Sequence, residues 1–183
     1  MDICDIKNIK VCETIKEGFG DPKIHKDKYG DYYLILPYTS FVKPNLTKKP
    51  TLAIDCGIKT FVNGYDTLGN TYKHVNLDDK LLPLLRKEDH LKSLDNTTRK
   101  IETQMINVRK RIHNMINDMH FKVINNILKD HNLIIYGKFN PSQILKSSTI
   151  TKYAKRKLSA LAHYRFKQQL IFKANTNNVS VIQ

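Results

Sequence analysis

One apolar seam constrains this chain more than any other feature. Ile101, Met105, Val108, Ile112, Met115 and Met119 recur at alternating intervals of four and three, a spacing that lines up side chains along one face of an α-helix. It predicts a helix from about Thr98 to Lys129, about 48 Å long at 1.5 Å per residue. The leucine-rich stretch before it, with Leu77, Leu81, Leu82, Leu84, Leu85, Leu91 and Leu94, predicts a shorter helix interrupted near Pro83. Together the two form a helical hairpin over about 78–130.

Strand signals flank the hairpin. Lys28-Tyr29-Gly30-Asp31 reads as a tight turn, followed by the aromatic and aliphatic run Tyr32 to Tyr38, which Pro37 stops. This is a small β unit, joined to the rest by a basic connector from Phe41 to Pro50. Leu52, Ala53 and Ile54 then read as a short buried strand ending at Asp55. Thr60 to Tyr65 and Thr71 to Val75 read as two more, turning at Leu68-Gly69-Asn70. Leu133 to Tyr136 is a further strand candidate. A last basic helix opens at Ser147 to Thr151 and runs to about Ala174, with Leu158, Leu161, Ile171 and Phe172 expected inward. Residues 175–183 are expected as a loose tail. The resulting fold class is α+β: a small β unit over 1–47, then a larger domain over 51–174.

Charge narrows the class of partner. Among 183 residues, 31 Lys and Arg stand against 17 Asp and Glu, leaving +14, a surplus that self-repels unless a polyanion offsets it. Asp130 is the last acidic side chain, so the C-terminal third carries one sign. Hydrophobic residues make up 40%, enough for a folded core and against wholesale disorder. The cysteines, Cys4, Cys12 and Cys56, are odd in number and form no C-x-x-C pair, which argues against a disulfide framework and a zinc ribbon. Charged residues at Asp2, Asp5, Lys7 and Lys10 exclude a signal peptide or membrane span at the start. A reducing, intracellular setting follows.

The candidate for chemistry is Asp55, a carboxylate at a strand end beside the turn glycine Gly57, where it can reach a Mg²⁺ ion without entering the core. By itself a strand-end aspartate is more often a turn residue. His113 and His120 share a helix face but lack carboxylate or cysteine neighbours in sequence, and read as packing residues. Cys56 reads as a small buried side chain.

The string Ile54-Asp55-Cys56-Gly57-Ile58-Lys59-Thr60-Phe61 resembles the first RuvC motif of the TnpB transposase-accessory proteins, an aliphatic strand followed by D-x-G-x-x-x-F. Leu133 to Ile144 is similar to the second RuvC motif, and Ser159 to Gln168 to the helix that follows it. The form is closest to Fanzor, the eukaryotic and large-virus branch of that family, and the Lys28 to Tyr38 strand resembles part of its wedge domain. The resemblance implies a ribonuclease-H-like (RuvC) fold, here partial, in a family of RNA-guided DNA endonucleases of mobile elements. It also implies DNA and a guide RNA as partners, with no membrane, and Mg²⁺ as the cofactor.

Departures from that pattern bear on activity. The family holds two Mg²⁺ ions about 4 Å apart with three carboxylates, of which only Asp55 is present. The second falls at Asn140 in the Fanzor-like form or near Gly137 in the TnpB form, and neither residue is acidic. The third, with the zinc ribbon, belongs beyond the last matched helix, where no Asp, Glu or Cys follows. The expectation is a degenerate or split nuclease, shortened at both ends, that binds nucleic acid, does not cut alone, carries no zinc and relies on a separately encoded C-terminal half for any cleavage. The alternatives are a non-catalytic regulator competing with an intact relative, and a relic without function. For binding, the candidates are Lys59, Arg109, Lys110 and Arg111, joined by Lys152, Lys155, Arg156, Lys157, Arg165 and Lys167; Arg99 and Lys100 are further cations of the long helix. Tyr153 and Tyr164 are open to base stacking, though packing is the commoner use of such rings.

Overall fold

The computed structural model describes residues 14, 18–39, 49–75, 77–94 and 98–183. Cys4, Cys12, the charged start and residues 41–48 of the connector lie outside them. The chain divides into two units, Met1–Phe41 and Val42–Gln183.

In the first unit β1 (Lys23–Lys26) pairs antiparallel with β2 (Tyr32–Ile35), Lys23 opposite Ile35. The turn forms because the Asp27 carboxylate accepts from the backbone N–H groups of Tyr29 and Asp31, at 2.8 and 3.0 Å, while Gly30 takes the left-handed φ of +89° that glycine tolerates. The expected run to Tyr38 is shorter, ending at Ile35. Every residue of both strands is exposed.

The second unit is built on a five-stranded sheet. Strands β3 (Thr51–Cys56), β4 (Thr60–Asp66) and β5 (Thr71–Val75) form an antiparallel meander, and β6 (Leu133–Tyr136) and β7 (Ser180–Ile182) add in parallel on the other side of β3. The order across the sheet is β5-β4-β3-β6-β7. A three-strand meander whose first strand pairs in parallel with a later strand, itself paired in parallel with the next, is the arrangement of a ribonuclease-H-like sheet. Asp66 locks the β4–β5 hairpin, its carboxylate accepting from the N–H groups of Leu68 and Asn70, from the Asn70 side-chain amide and from the Tyr72 hydroxyl. The alternating burial of β3 puts Leu52, Ile54 and Cys56 in the core and Ala53 and Asp55 on the open face.

Helices cover the buried face. Helix α1 (Asp78–Lys92) packs against α2 (Arg99–Asp130), capped by the Thr98 side chain. The expected interruption at Pro83 does not occur. Proline costs α1 one hydrogen bond, and the carbonyl left without it belongs to Asp79, an exposed residue that water can serve. The seam of α2 is anchored by Val108, Ile112, Ile116, Met119, Val123, Ile124 and Ile127, with Met115 half-buried.

The C-terminal third differs most from expectation. The single last helix is three: α3 (Pro141–Lys146), α4 (Lys152–Leu161) and α5 (His163–Thr176). Ala162 separates the last two with a left-handed φ of +50°, a conformation strained for any residue with a Cβ. The break rephases α5, so its buried side chains are His163, Phe166, Leu170 and Ala174. Phe172 faces water rather than the core. Residues 175–183 are no loose tail: they carry β7, in register with β6 from Ser180 opposite Leu133.

Candidate functional site

Asp55 stands at the end of the central strand. Because β6 runs parallel to β3 with Ile54 opposite Tyr136, the residue just after β6, Gly137, comes alongside Asp55. Gly137 donates its N–H to the Ile54 carbonyl at 2.8 Å, and a Cβ on it would stand 3.4 Å from Asp55 Oδ1. A side chain at position 137 would therefore meet Asp55. Asn140 is occupied otherwise: its Oδ1 accepts from the Gln143 N–H at 3.4 Å and caps α3.

Beneath Asp55 the strand tips are sealed. Cys56 Sγ and the Tyr136 hydroxyl lie 3.2 Å apart in the core, and burial pushes the thiol up to about 11, so it stays protonated and unreactive at neutral pH. The Lys167 ammonium sits 5.6 Å from the centre of the Tyr136 ring and donates to Gln183 Oε1. Phe61 of β4 stacks on the buried imidazoles of His120 and His163, at 5.2 and 4.9 Å, and Phe139 and Phe166 close the cluster edge-on. Burial lowers both imidazoles to about 4, leaving them neutral at pH 7. Neither nitrogen of His163 reaches a partner in hydrogen-bond geometry among the described residues; the nearby Gly57 backbone only softens the shift. His120 packs, as the sequence suggested, and His163 packs with it.

A pair of Mg²⁺ ions does not fit the donors present. Among the described residues no three His, Cys, Asp or Glu side chains gather where they could hold a metal. Asp55 offers one carboxylate, Gly137 no side chain and Asn140 an oxygen already engaged in its cap, whereas a two-ion site needs several anionic oxygens to offset the ions' mutual repulsion.

The ten expected nucleic-acid-binding cations fall into distinct groups. Arg109 and Arg156 are spent inside the fold. Arg109 Nε donates to Glu88 Oε1 at 2.9 Å, Arg156 Nη2 donates to Glu88 Oε2, and Arg156 Nε donates to Asp89 at 3.0 Å. Lys92 Nζ adds a contact of 2.8 Å, so Glu88 ties α1 to α2 and α4. Burial alone would raise the Glu88 carboxyl; Lys92, Arg109 and Arg156 instead hold it at about 2. Lys157 is buried, with Nζ 2.7 Å from Asp78 Oδ2. Arg165 Nη1 donates to His113 Nδ1 at 2.9 Å. Four of the ten thus stabilise the tertiary structure, for the reason that each is half-buried or deeper, or already faces a carboxylate. Arg111 lines an open groove between α1 and α2 with Lys80, Leu84 and Asn114. Lys59 follows the Asp55 turn, Lys110 lies on α2, and Lys152 and Lys155 begin α4.

Two exposed residues escaped sequence reasoning, Gln168 and Phe172. Phasing the last helix on Phe166, Leu170 and Ala174 alone would have turned them outward, but that needs the break at Ala162, which alanine does not announce.

The strand order is that of a ribonuclease-H-like sheet, and Asp55 stands at the tip of its central strand. In sequence the chain is similar to TnpB-like proteins L79 and L770 of Acanthamoeba polyphaga mimivirus, each 29% identical and aligned with 82% of this chain and 32% of the relative. TnpB-like protein R854 of the same virus matches to the same degree. The chain spans about a third of the length of the TnpB-like proteins it matches. No family model matches it. Among solved structures it is similar to a chain of the Cas12f1-sgRNA-target DNA complex, at 13% identity and a TM-score of 0.41, covering 90% of this chain and 51% of that one. Among the described residues no helix is long and apolar enough to cross a membrane.

Proposed function

We propose that this chain is the nucleic-acid-holding part of a TnpB-type DNA endonuclease, and that it does not cleave by itself. The observation that carries the reading is the closeness of Asp55 and Gly137: an aspartate stands at the tip of the central strand, and the position beside it has no carboxylate. Cleavage would then need acidic groups delivered from outside this chain, for instance by a separately encoded C-terminal half. Guide RNA and target DNA are the partners that this reading assigns.

Support for holding comes from the net charge of +14 and from cations outside the Glu88 and Asp78 clamps. Lys59, Lys110, Arg111, Lys152, Lys155 and Lys167 form the proposed footprint. If about six of them neutralise phosphates, log K falls with log salt at a slope of about −4 to −5. Fluorescence anisotropy across a salt series measures that slope, and a flat response removes the electrostatic reading. Supercoiled DNA incubated with Mg²⁺ or Mn²⁺ stays intact in this reading. Nicking that disappears in Asp55→Ala would overturn the claim of inactivity.

A further inference from the structure

We propose that the outer stripe of α5, formed by Tyr164, Gln168 and Phe172, is a stacking platform for the bases of an unpaired nucleic-acid strand. This inference rests on the reading of the chain as a nucleic-acid holder and assigns it a surface and a strand state. Tyr164 is 74% exposed and Phe172 67%, and Gln168 between them is exposed as well. Steps of four turn only about 40° around a helix, so the three side chains form one shallow row. From Tyr164 to Phe172 the row rises about 12 Å, roughly three base-stacking intervals of about 3.4 Å.

The stripe lies opposite the face by which α5 packs on the core. On its inner side α5 already buries His163, Phe166, Leu170 and Ala174, so the outward rings add nothing to that packing. A phenylalanine left in water forgoes about 1.5–3 kcal/mol of burial, and two exposed rings in one row call for a planar, apolar partner.

Charge selects that partner. From His131 to Gln183 the sequence holds nine Lys and Arg and no Asp or Glu. A second copy of this chain would bring like charges together across such a contact. The core of a protein docking face is, moreover, depleted in lysine. A polyanion with flat apolar faces meets both demands. In a duplex those faces are covered by neighbouring bases, which leaves an unpaired strand as the ligand able to offer them.

Binding of fluorescein-labelled oligothymidylate and of an abasic oligonucleotide of the same length tests this. Tyr164→Ala and Phe172→Ala should each weaken oligothymidylate about 10-fold, leave the abasic oligonucleotide unchanged and preserve the salt slope. Both sites are exposed, so thermal melts of the variants should overlay the parent. Equal affinity for the two oligonucleotides, or variants that bind oligothymidylate like the parent, overturns the platform and leaves the electrostatic footprint standing. A parent that sediments as a dimer and becomes a monomer in Phe172→Ala, with binding unchanged, reassigns the stripe to self-association. Binding of neither oligonucleotide removes the platform and the holding function together.

Discussion

Gly137 and Asp55 stand side by side at the tips of two parallel strands, the glycine N–H bonded to the Ile54 carbonyl at 2.8 Å. A Cβ at 137 would come within 3.0 Å of that carbonyl oxygen and 3.4 Å of the aspartate Oδ1. Gly137→Ala should therefore destabilise the fold by about 1–2 kcal/mol, since a central strand must shift by tenths of an ångström; urea denaturation measures it. Gly137→Asp adds a second carboxylate at this spot. Without cations the two charges repel, and Mn²⁺ should raise the melting temperature of this variant far more than that of the parent. Identical Mn²⁺ responses would show that position 137 does not face a metal-competent Asp55.

Glu88 should prove the strongest polar support of the helical layer. Its carboxylate meets Lys92, Arg109 and Arg156, so Glu88→Gln leaves three crowded cations with only the Asp89 contact of Arg156 as counter-charge. The expected loss is about 2 kcal/mol, below the roughly 3–5 of a fully buried pair because the Arg109 side chain stays 43% exposed. With its carboxyl held at about 2, Glu88 stabilises the fold fully above its unfolded value near 4.3. That contribution fades as pH falls from there through about 2. Acid titration of the parent and Glu88→Gln by circular dichroism should show the difference between them shrinking over this window.

The histidine pair has a separate pH signature. His120 and His163 are held at about 4 by burial, against about 6.5 in an unfolded chain. Between those values the unfolded state binds more protons, so stability is complete above about pH 6.5 and declines as pH falls toward 4. His163→Phe, in a site lined by Phe61 and Phe139, should flatten the drop in melting temperature between neutral and mildly acidic pH. An unchanged slope would place the proton uptake elsewhere.

Ala162 holds a φ of +50° between α4 and α5. Glycine enters that region without a Cβ clash, so Ala162→Gly should stabilise by about 0.5 kcal/mol after its unfolded-state entropy is set against the relieved strain. Ala162→Val should cost more than 1 kcal/mol, because a β-branched side chain is a poorer fit to left-handed backbone. Differential scanning calorimetry of the two variants separates them by sign.

What the sequence determined by itself was whatever repeats locally. The α2 seam, the turn at Leu68-Gly69-Asn70 and the strands around Leu52 and Leu133 each carry a period or a turn residue within a few positions, and the same reading put Asp55 at a strand end. The tertiary structure decided what depends on distant partners. The short run Val179-Ser180-Val181-Ile182 favours a strand but names no partner; Ser180 pairs with Leu133 because α5 brings it beside the edge of β6. Arg109, Arg156 and Lys157 read as binding cations until packing set Glu88 and Asp78 against them. Phe172 read as core because nothing about Ala162 announces a left-handed break. Side-chain period is set by the local backbone, whereas pairing, ion matching and helix phase arise only when distant segments meet in the folded chain.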